Sequence, residues 1–295
     1  MKVRFAVSPG GNVFDAGEFV SFVATLERKG FDGMWLSDVP LGHTVDPIVG
    51  LSYAAAMTTK LKLGANVVPI GRSPITLAKE LAQADRLSGG RVLLTFVPGV
   101  DEPGERAGLG IGSGDRPGAL DEAIVVCRKF WSGEPVEHVS ERYSYSGQRM
   151  LPTPLQAPLE VWLGGKGPAA LRRVGRLSDG WLGAGVSPRD CVGACARINE
   201  AAAAAGRSID PEHFGMSIPY ARSNPSDATI ARILDRSPGN VISDLLPVGP
   251  EQLRDLVGRY LESGVSKFVV RSVGQIGDWE EELSHLAEIV LPLQT

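Results

Sequence analysis

Short apolar runs and amphipathic stretches of helical period alternate along almost the whole chain. Residues 3–7 (VRFAV) read as a strand. Residues 15–29 read as a helix, because Phe19, Phe22, Val23 and Leu26 fall on one face. A strand at 33–38 (GMWLSD) precedes a helix opened by Asp46-Pro47, a cap and first-turn pair. A third strand follows at 61–68 (LKLGANVV). SPITLAKELAQADRLSGG then spells a helix with a serine start and a double-glycine stop. A fourth strand occupies 91–97 and a long helix 116–133. Residues 134–158 break the rhythm with an alternating, turn-rich stretch that predicts a hairpin. The alternation resumes with a strand at 159–163, a helix from Pro168, a strand at 179–185 and an alanine-rich helix at 188–205. A strand at 213–221, a poorly patterned 222–248, a helix at 249–263, a strand at 267–273 and a helix at 279–291 complete the chain.

Repeated βαβ units imply a parallel sheet with helices outside it. Eight such units in 295 residues predict one α/β domain over residues 1–295, a closed (β/α)8 TIM barrel. The hairpin is an insertion before strand five, and 222–248 an irregular insertion after strand seven. An open dinucleotide-binding sheet is the alternative, but SPGGNVF after the first strand does not fit its glycine fingerprint.

Composition narrows the function by exclusion. A net charge of -4 with no basic run gives no case for nucleic acid. No apolar stretch approaches the roughly 18 residues of a membrane span. Cys127, Cys191 and Cys195 lie in helical patterns without metal-ligand spacing, so no disulfide framework and no metal site is expected. The N-terminus reads as a strand rather than an export signal, which makes a cytoplasmic location the expectation. Cys127 is expected in the core, and Trp35 and Trp162 as packing or pocket walls on barrel strands.

In such barrels chemistry gathers in the loops after the strands. Among these, LGGKGP (163–168) places three glycines, a lysine and a proline between a buried strand and a helix. It is either a tight turn or a cradle in which bare N–H groups at a helix start hold an anion. The pattern alone leaves both open.

Four blocks in order, GFDGMWLSD (30–38), LKLGANVV (61–68), LAKELAQADRLSGGRVLL (77–94) and LGGKGPAALRRVGRLSDGW (163–181), resemble the bacterial luciferase-like monooxygenase superfamily. The similarity is greatest to its branch of oxidoreductases that use the deazaflavin coenzyme F420. DEAIVVCRKFWSG (121–133) is a weaker fifth block, and the resemblance is loose over the last third of the chain. It implies hydride transfer between F420 and a small-molecule substrate. It also implies a homodimer, and that Asp38 lies close to the deazaflavin ring. Asn66-Val67 matches a site where relatives carry a non-proline cis peptide whose bulge backs the ring. Pro98 and Gly99 match a loop that passes near the cofactor. Gly164, Gly165, Lys166, Gly167 and Pro168 match its phosphate-binding turn, which Ala184 and Gly185 would complete.

The chain also departs from the family. Relatives acting on sugar phosphates or alcohols often carry Asp-His after strand two; here Val39 follows Asp38, and His43 is the nearest imidazole and the candidate acid or base. Sugar-phosphate dehydrogenases place a glutamate after the loop glycine, where this chain has Val100, then Asp101 and Glu102. Val39 and Val100 point to a fairly apolar substrate, or to a hydride transfer in which solvent supplies the proton; Asp101, Glu102 and Glu105 read equally well as a solvated loop face. Arg72, Lys166 and Arg172 would suit the long polyanionic tail of F420. Three alternatives stay open at this point: FMN in a two-component monooxygenase fed by a separate reductase, a non-catalytic cofactor binder, and an unrelated phosphate-binding barrel. The last lacks a strand-end lysine.

Overall fold

The computed structural model describes residues 1–100, 102–110 and 115–295. Its strands, in chain order, are β1 (Arg4–Ser8), β2 (Gly33–Ser37), β3 (Lys62–Val67), β4 (Val92–Phe96), β5 (Val136–Val139), β6 (Ser144–Gln148), β7 (Val161–Leu163), β8 (Gly180–Ala184), β9 (Phe214–Tyr220) and β10 (Lys267–Ser272). All but β5 and β6 pair in parallel and close into an eight-stranded barrel; β5 and β6 form the expected antiparallel hairpin, inserted between β4 and β7. The chain is therefore a TIM barrel with the predicted hairpin before its fifth barrel strand.

The helices are α1 (Ala16–Lys29), α2 (Pro47–Met57), α3 (Pro74–Leu87), α4 (Pro103–Gly108), α5 (Arg116–Trp131), α6 (Pro168–Leu177), α7 (Pro188–Ala204), α8 (Asp227–Asp235), α9 (Gly249–Glu262) and α10 (Trp279–Val290). Local signals explain most of them. Asp15 and Glu18 form a capping box before α1, and Gly30 ends that helix in the left-handed region. Two helices escaped the sequence reading. The insertion at 222–248 contains α8, and the loop after β4 contains the short α4.

Successive strand residues face opposite sides. Met34 and Leu36 of β2 pack outward against the helices, whereas Trp35 turns into the barrel beside Leu182 and Val269, with Ala6, Leu93 and Trp162 against them. Glycines on neighbouring strands make room for the two indoles: a Cβ on Gly64 would lie 2.0 Å from the Trp35 ring, and one on Gly180 2.4 Å from the Trp162 ring. This layer plugs the barrel and separates the cavity at the strand outlets from a smaller one of about 300 Å³ at the strand starts. One step higher on the same inward faces stand Ser8, Ser37, Asn66, Thr95 and Arg271. The plug is apolar and the layer above it polar.

Behind the wall, Tyr220 of β9 hydrogen-bonds its hydroxyl to Nε2 of His285 on α10 at 2.7 Å. Burial, reinforced by Arg222, holds the His285 imidazole below its usual value near 6.5. The unfolded chain therefore takes up this proton first, and the stability that neutral His285 contributes is present above pH 6.5 and lost as the pH falls through the depressed folded value. His285→Gln is expected to flatten the fall of the denaturation midpoint below pH 6.5, read from urea titrations across that range.

Candidate functional site

At the outlet of the barrel a cavity of about 850 Å³ opens between the loops after β1, β2, β4 and β10 and one side of α8. Asp38, the residue after β2, is buried in its wall. One carboxylate oxygen accepts the Val68 N–H at 3.0 Å and pairs with Arg72 at 2.9 Å, while the Asp38 N–H donates to the Asn66 carbonyl at 2.9 Å. Asp38 thus stitches the tips of β2 and β3 together. Arg72 is held in that pair, with Asp46 also 3.7 Å away, and does not reach toward a cofactor tail as expected.

The linkage between Asn66 and Val67 is trans; the cis bonds among the described residues are Leu151-Pro152 and Ala157-Pro158. The expected cis peptide and bulge are therefore corrected. The parallel ladder explains why: Asn66 pairs with Thr95 and Val67 with Phe96 in unbroken register, and the Val67 carbonyl still accepts the Val97 N–H. The Asn66 side chain is fixed as well. Its Oδ1 accepts the Trp35 indole N–H at 3.1 Å, and its Nδ2 donates to the Ser37 hydroxyl at 3.0 Å. Asn66 faces the cavity; Val67 is buried on the helix side of the strand. Beneath, the Thr95 hydroxyl is buried with no protein partner among the described residues.

His43 also lines the cavity, on the exposed loop before α2, with no hydrogen bond to any described residue. Gly99 lines it with φ near +78°, a conformation that favours glycine, while the Pro98 carbonyl turns aside to accept from Arg116 at 2.5 Å. Val39, Val97 and Val100 supply an apolar wall. Asp101 lies outside the described residues. Glu105 is not on a solvated face: it is 5 % exposed and accepts the Leu41 N–H, which ties the loop after β2 to α4.

The glycine turn after β7 stands next to this cavity. A Cβ on Gly164 would come 3.6 Å from Val97, a cavity-wall side chain. Gly165 has φ near +105°, and a side chain there would strike Ala170 at 2.7 Å; its carbonyl accepts the Trp181 indole N–H. Gly167 caps α6 without a side-chain hydrogen bond, and Pro168 brings no N–H. The N–H groups of Gly165, Lys166, Gly167, Ala169 and Ala170 donate to no acceptor among the described residues. They form a row of free donors at a helix start, which suits an anion.

Lys166 does not point into that row. Its ammonium reaches the Gly185 carbonyl at 3.3 Å, the Ser237 hydroxyl at 2.7 Å and the Arg236 carbonyl, and burial lowers its pKa. It clamps the outlets of β7 and β8 to the end of α8, where a cation also complements the helix dipole. Gly185, with φ near +63°, leaves room for this clamp: a Cβ there would come 2.7 Å from the Ser237 hydroxyl. Ala184 ends β8 exposed at the same rim. Arg172 lies apart, in a groove between α6 and α7 on the outside of the barrel.

Sequence reasoning missed Arg271 at the end of β10 and Arg232 and Arg236 on α8, all of which line the main cavity. Strand parity offered a signal for Arg271, two residues after inward Val269; nothing local marked the other two. No group of three potential metal ligands occurs among the described residues, and no helix among them is long and apolar enough to cross a membrane.

Comparison with known proteins gives the family. The chain is 28% identical over 202 residues to the 5,10-methylenetetrahydromethanopterin reductase of Methanopyrus kandleri, covering 64% of this chain and 57% of that one. It is 27% identical over 180 residues to the F420-dependent glucose-6-phosphate dehydrogenase of Kineococcus radiotolerans, covering 57% of this chain and 52% of that one. The aligned region thus spans little more than half the length of these relatives. Among solved structures, an F420-dependent secondary alcohol dehydrogenase in complex with an F420-acetone adduct superimposes with a TM-score of 0.84 over 100% of both chains at 17% identity, a likeness of fold. Residues 1–290 match the luciferase-like monooxygenase family, and the chain belongs to it.

Proposed function

We propose that the chain is an oxidoreductase that uses F420 to exchange a hydride with a small organic substrate. The observation that carries the reading is the row of free N–H donors at residues 165–170 beside an 850 Å³ cavity whose wall holds a paired carboxylate. The residues present fit a phosphorylated deazaflavin. Glycines at 164, 165 and 167 bring the backbone close to an anion, and the start of α6 adds its dipole. Relatives named for F420 support the choice of cofactor. When bound, F420 supplies a ring carbon that gives or accepts a hydride.

The protein's own residues position and shield that exchange. Asp38 and Asn66 fix a cavity wall against which the ring would lie, and the tryptophan plug closes the barrel below. Val39, Val97 and Val100 exclude water from the substrate's apolar part. His43, on the exposed loop lining the cavity, would relay a proton between substrate and solvent. Because its imidazole is exposed and unanchored, water can replace it. His43→Gln is expected to lower kcat by less than about tenfold, short of the roughly 10²–10⁴ a positioned acid–base group supplies. Cofactor affinity, read by quenching of F420 fluorescence, should be unchanged.

Deazaflavin absorbance, followed while the loaded protein meets a panel of alcohols, ketones and unsaturated carbonyl compounds, tests the activity. Substrate-dependent bleaching or recovery is the expected result; turnover only with reduced FMN and oxygen would contradict it.

A further inference from the structure

The chain carries a formal charge of -4, yet its main cavity is lined with cations. Arg232 on α8 and Arg236 at its C-cap, one turn apart, line it together with Arg271 of β10. Asp38 is the only carboxylate among the described lining residues, and it is already paired with Arg72. None of the three arginines has an ion-pair partner among the described residues. Gly10 makes space for one of them: with φ near +63°, it lies where a Cβ would sit 3.3 Å from the Arg271 stem. Burial, and then the charges of Arg232 and Arg236, lowers the Arg271 pKa, so the three guanidinium groups feel one another. Like charges crowded into one cleft destabilise the fold unless an anion neutralises them, and guanidinium groups match carboxylate and phosphate in geometry.

We propose that Arg271, Arg232 and Arg236 form an anion-binding subsite at the barrel mouth that takes the carboxylate or phosphate group of an otherwise apolar substrate. This rests on the reading of the cavity as a deazaflavin-dependent active site and names the substrate class for it. The free N–H groups at the start of α6 would hold the cofactor's phosphodiester. Arg271 stands against the loops after β1 and β10, while Arg236 shares the rim with the glycine turn, its carbonyl accepting from Lys166. The apolar substrate expected from Val39 and Val100 becomes one with an apolar body and an anionic end.

Calorimetric titration of inorganic phosphate into the F420-loaded protein tests the subsite. Binding is expected, weakened about tenfold or more in Arg271→Gln, the worth of a hydrogen bond between charged groups. Arg232→Gln and Arg236→Gln, exposed on α8, should weaken it in the same direction without affecting folding. Equal binding by wild type and all three variants overturns the proposal, and so does the absence of binding. A second arm titrates F420 and its riboside fragment, which lacks phosphate and glutamates. Unchanged F420 affinity in Arg271→Gln assigns the subsite to substrate. A loss confined to the whole cofactor assigns the arginines to the cofactor's tail and overturns the substrate assignment. Should F420 fail to bind at all, the oxidoreductase reading falls, while phosphate titrated into the cofactor-free protein still decides the subsite.

Discussion

Asp38→Asn is expected to lower F420 affinity by at least about tenfold and to cost roughly 2–3 kcal/mol of stability. The substitution keeps the shape of the side chain and removes its charge. Its carbonyl oxygen can still accept the Val68 N–H, but an amide cannot neutralise Arg72, which pairs with the carboxylate at 2.9 Å. The Asp38 side chain is 2% exposed, so the lost partner leaves a charge in a poorly solvated wall. Arg72 is 27% exposed and has Asp46 within 3.7 Å, which keeps the cost below that of a fully buried pair. The larger effect is positional. Asp38 joins the tips of β2 and β3, and both tips border the cavity. Urea midpoints measure the stability and cofactor fluorescence the affinity; wild-type values for both would remove Asp38 from the site.

Gly64→Ala should be the most destabilising single methyl addition in the barrel. The new Cβ would fall 2.0 Å from Cε3 and 2.4 Å from Cζ3 of Trp35, well inside contact distance, and a ring held between neighbouring strands has little room to retreat. Overpacking of this kind costs about 1–3 kcal/mol, here at the upper end. At roughly 2–4 °C per kcal/mol, Tm should fall by several degrees and by as much as about 10 °C. Function should suffer with it. Tilting the indole breaks its 3.1 Å hydrogen bond to Asn66, which in turn holds Ser37 at the cavity floor. Trp35→Leu in the same chain should recover much of the Tm by removing the clash, without restoring F420 affinity. A thermal scan that shows no loss for Gly64→Ala would mean that the layer is not tightly packed.

The barrel was legible because its signals are local. Capped helices, glycine stops and apolar runs each occupy a few residues, and their eightfold recurrence fixes the architecture. α8 was not legible because it is short and none of its residues is buried, although Ile230, Ile233 and Leu234 recur at helical spacing. The glycine turn at 164–168 was recognisable, but the destination of Lys166 was not: its partners, Gly185, Arg236 and Ser237, are 19, 70 and 71 residues away. Arg72 failed for the same reason, its charge absorbed by Asp38 across 34 residues. The trans linkage at Asn66-Val67 is the default of a non-proline bond, and only the resemblance suggested otherwise. The arginine trio needs three dimensions, because α8 and β10 meet only in the closed barrel.

The free backbone donors at the start of α6 carry the central claim, and cofactor titration tests them most directly. Quenching of F420 fluorescence should saturate at sub-micromolar concentration with the wild-type chain. Gly165→Val, which would force a branched side chain into φ near +105° and against Ala170, should weaken it at least about tenfold. FMN should bind more weakly than F420. Tight binding of FMN with none of F420, or F420 binding indifferent to Gly165→Val, would contradict the account.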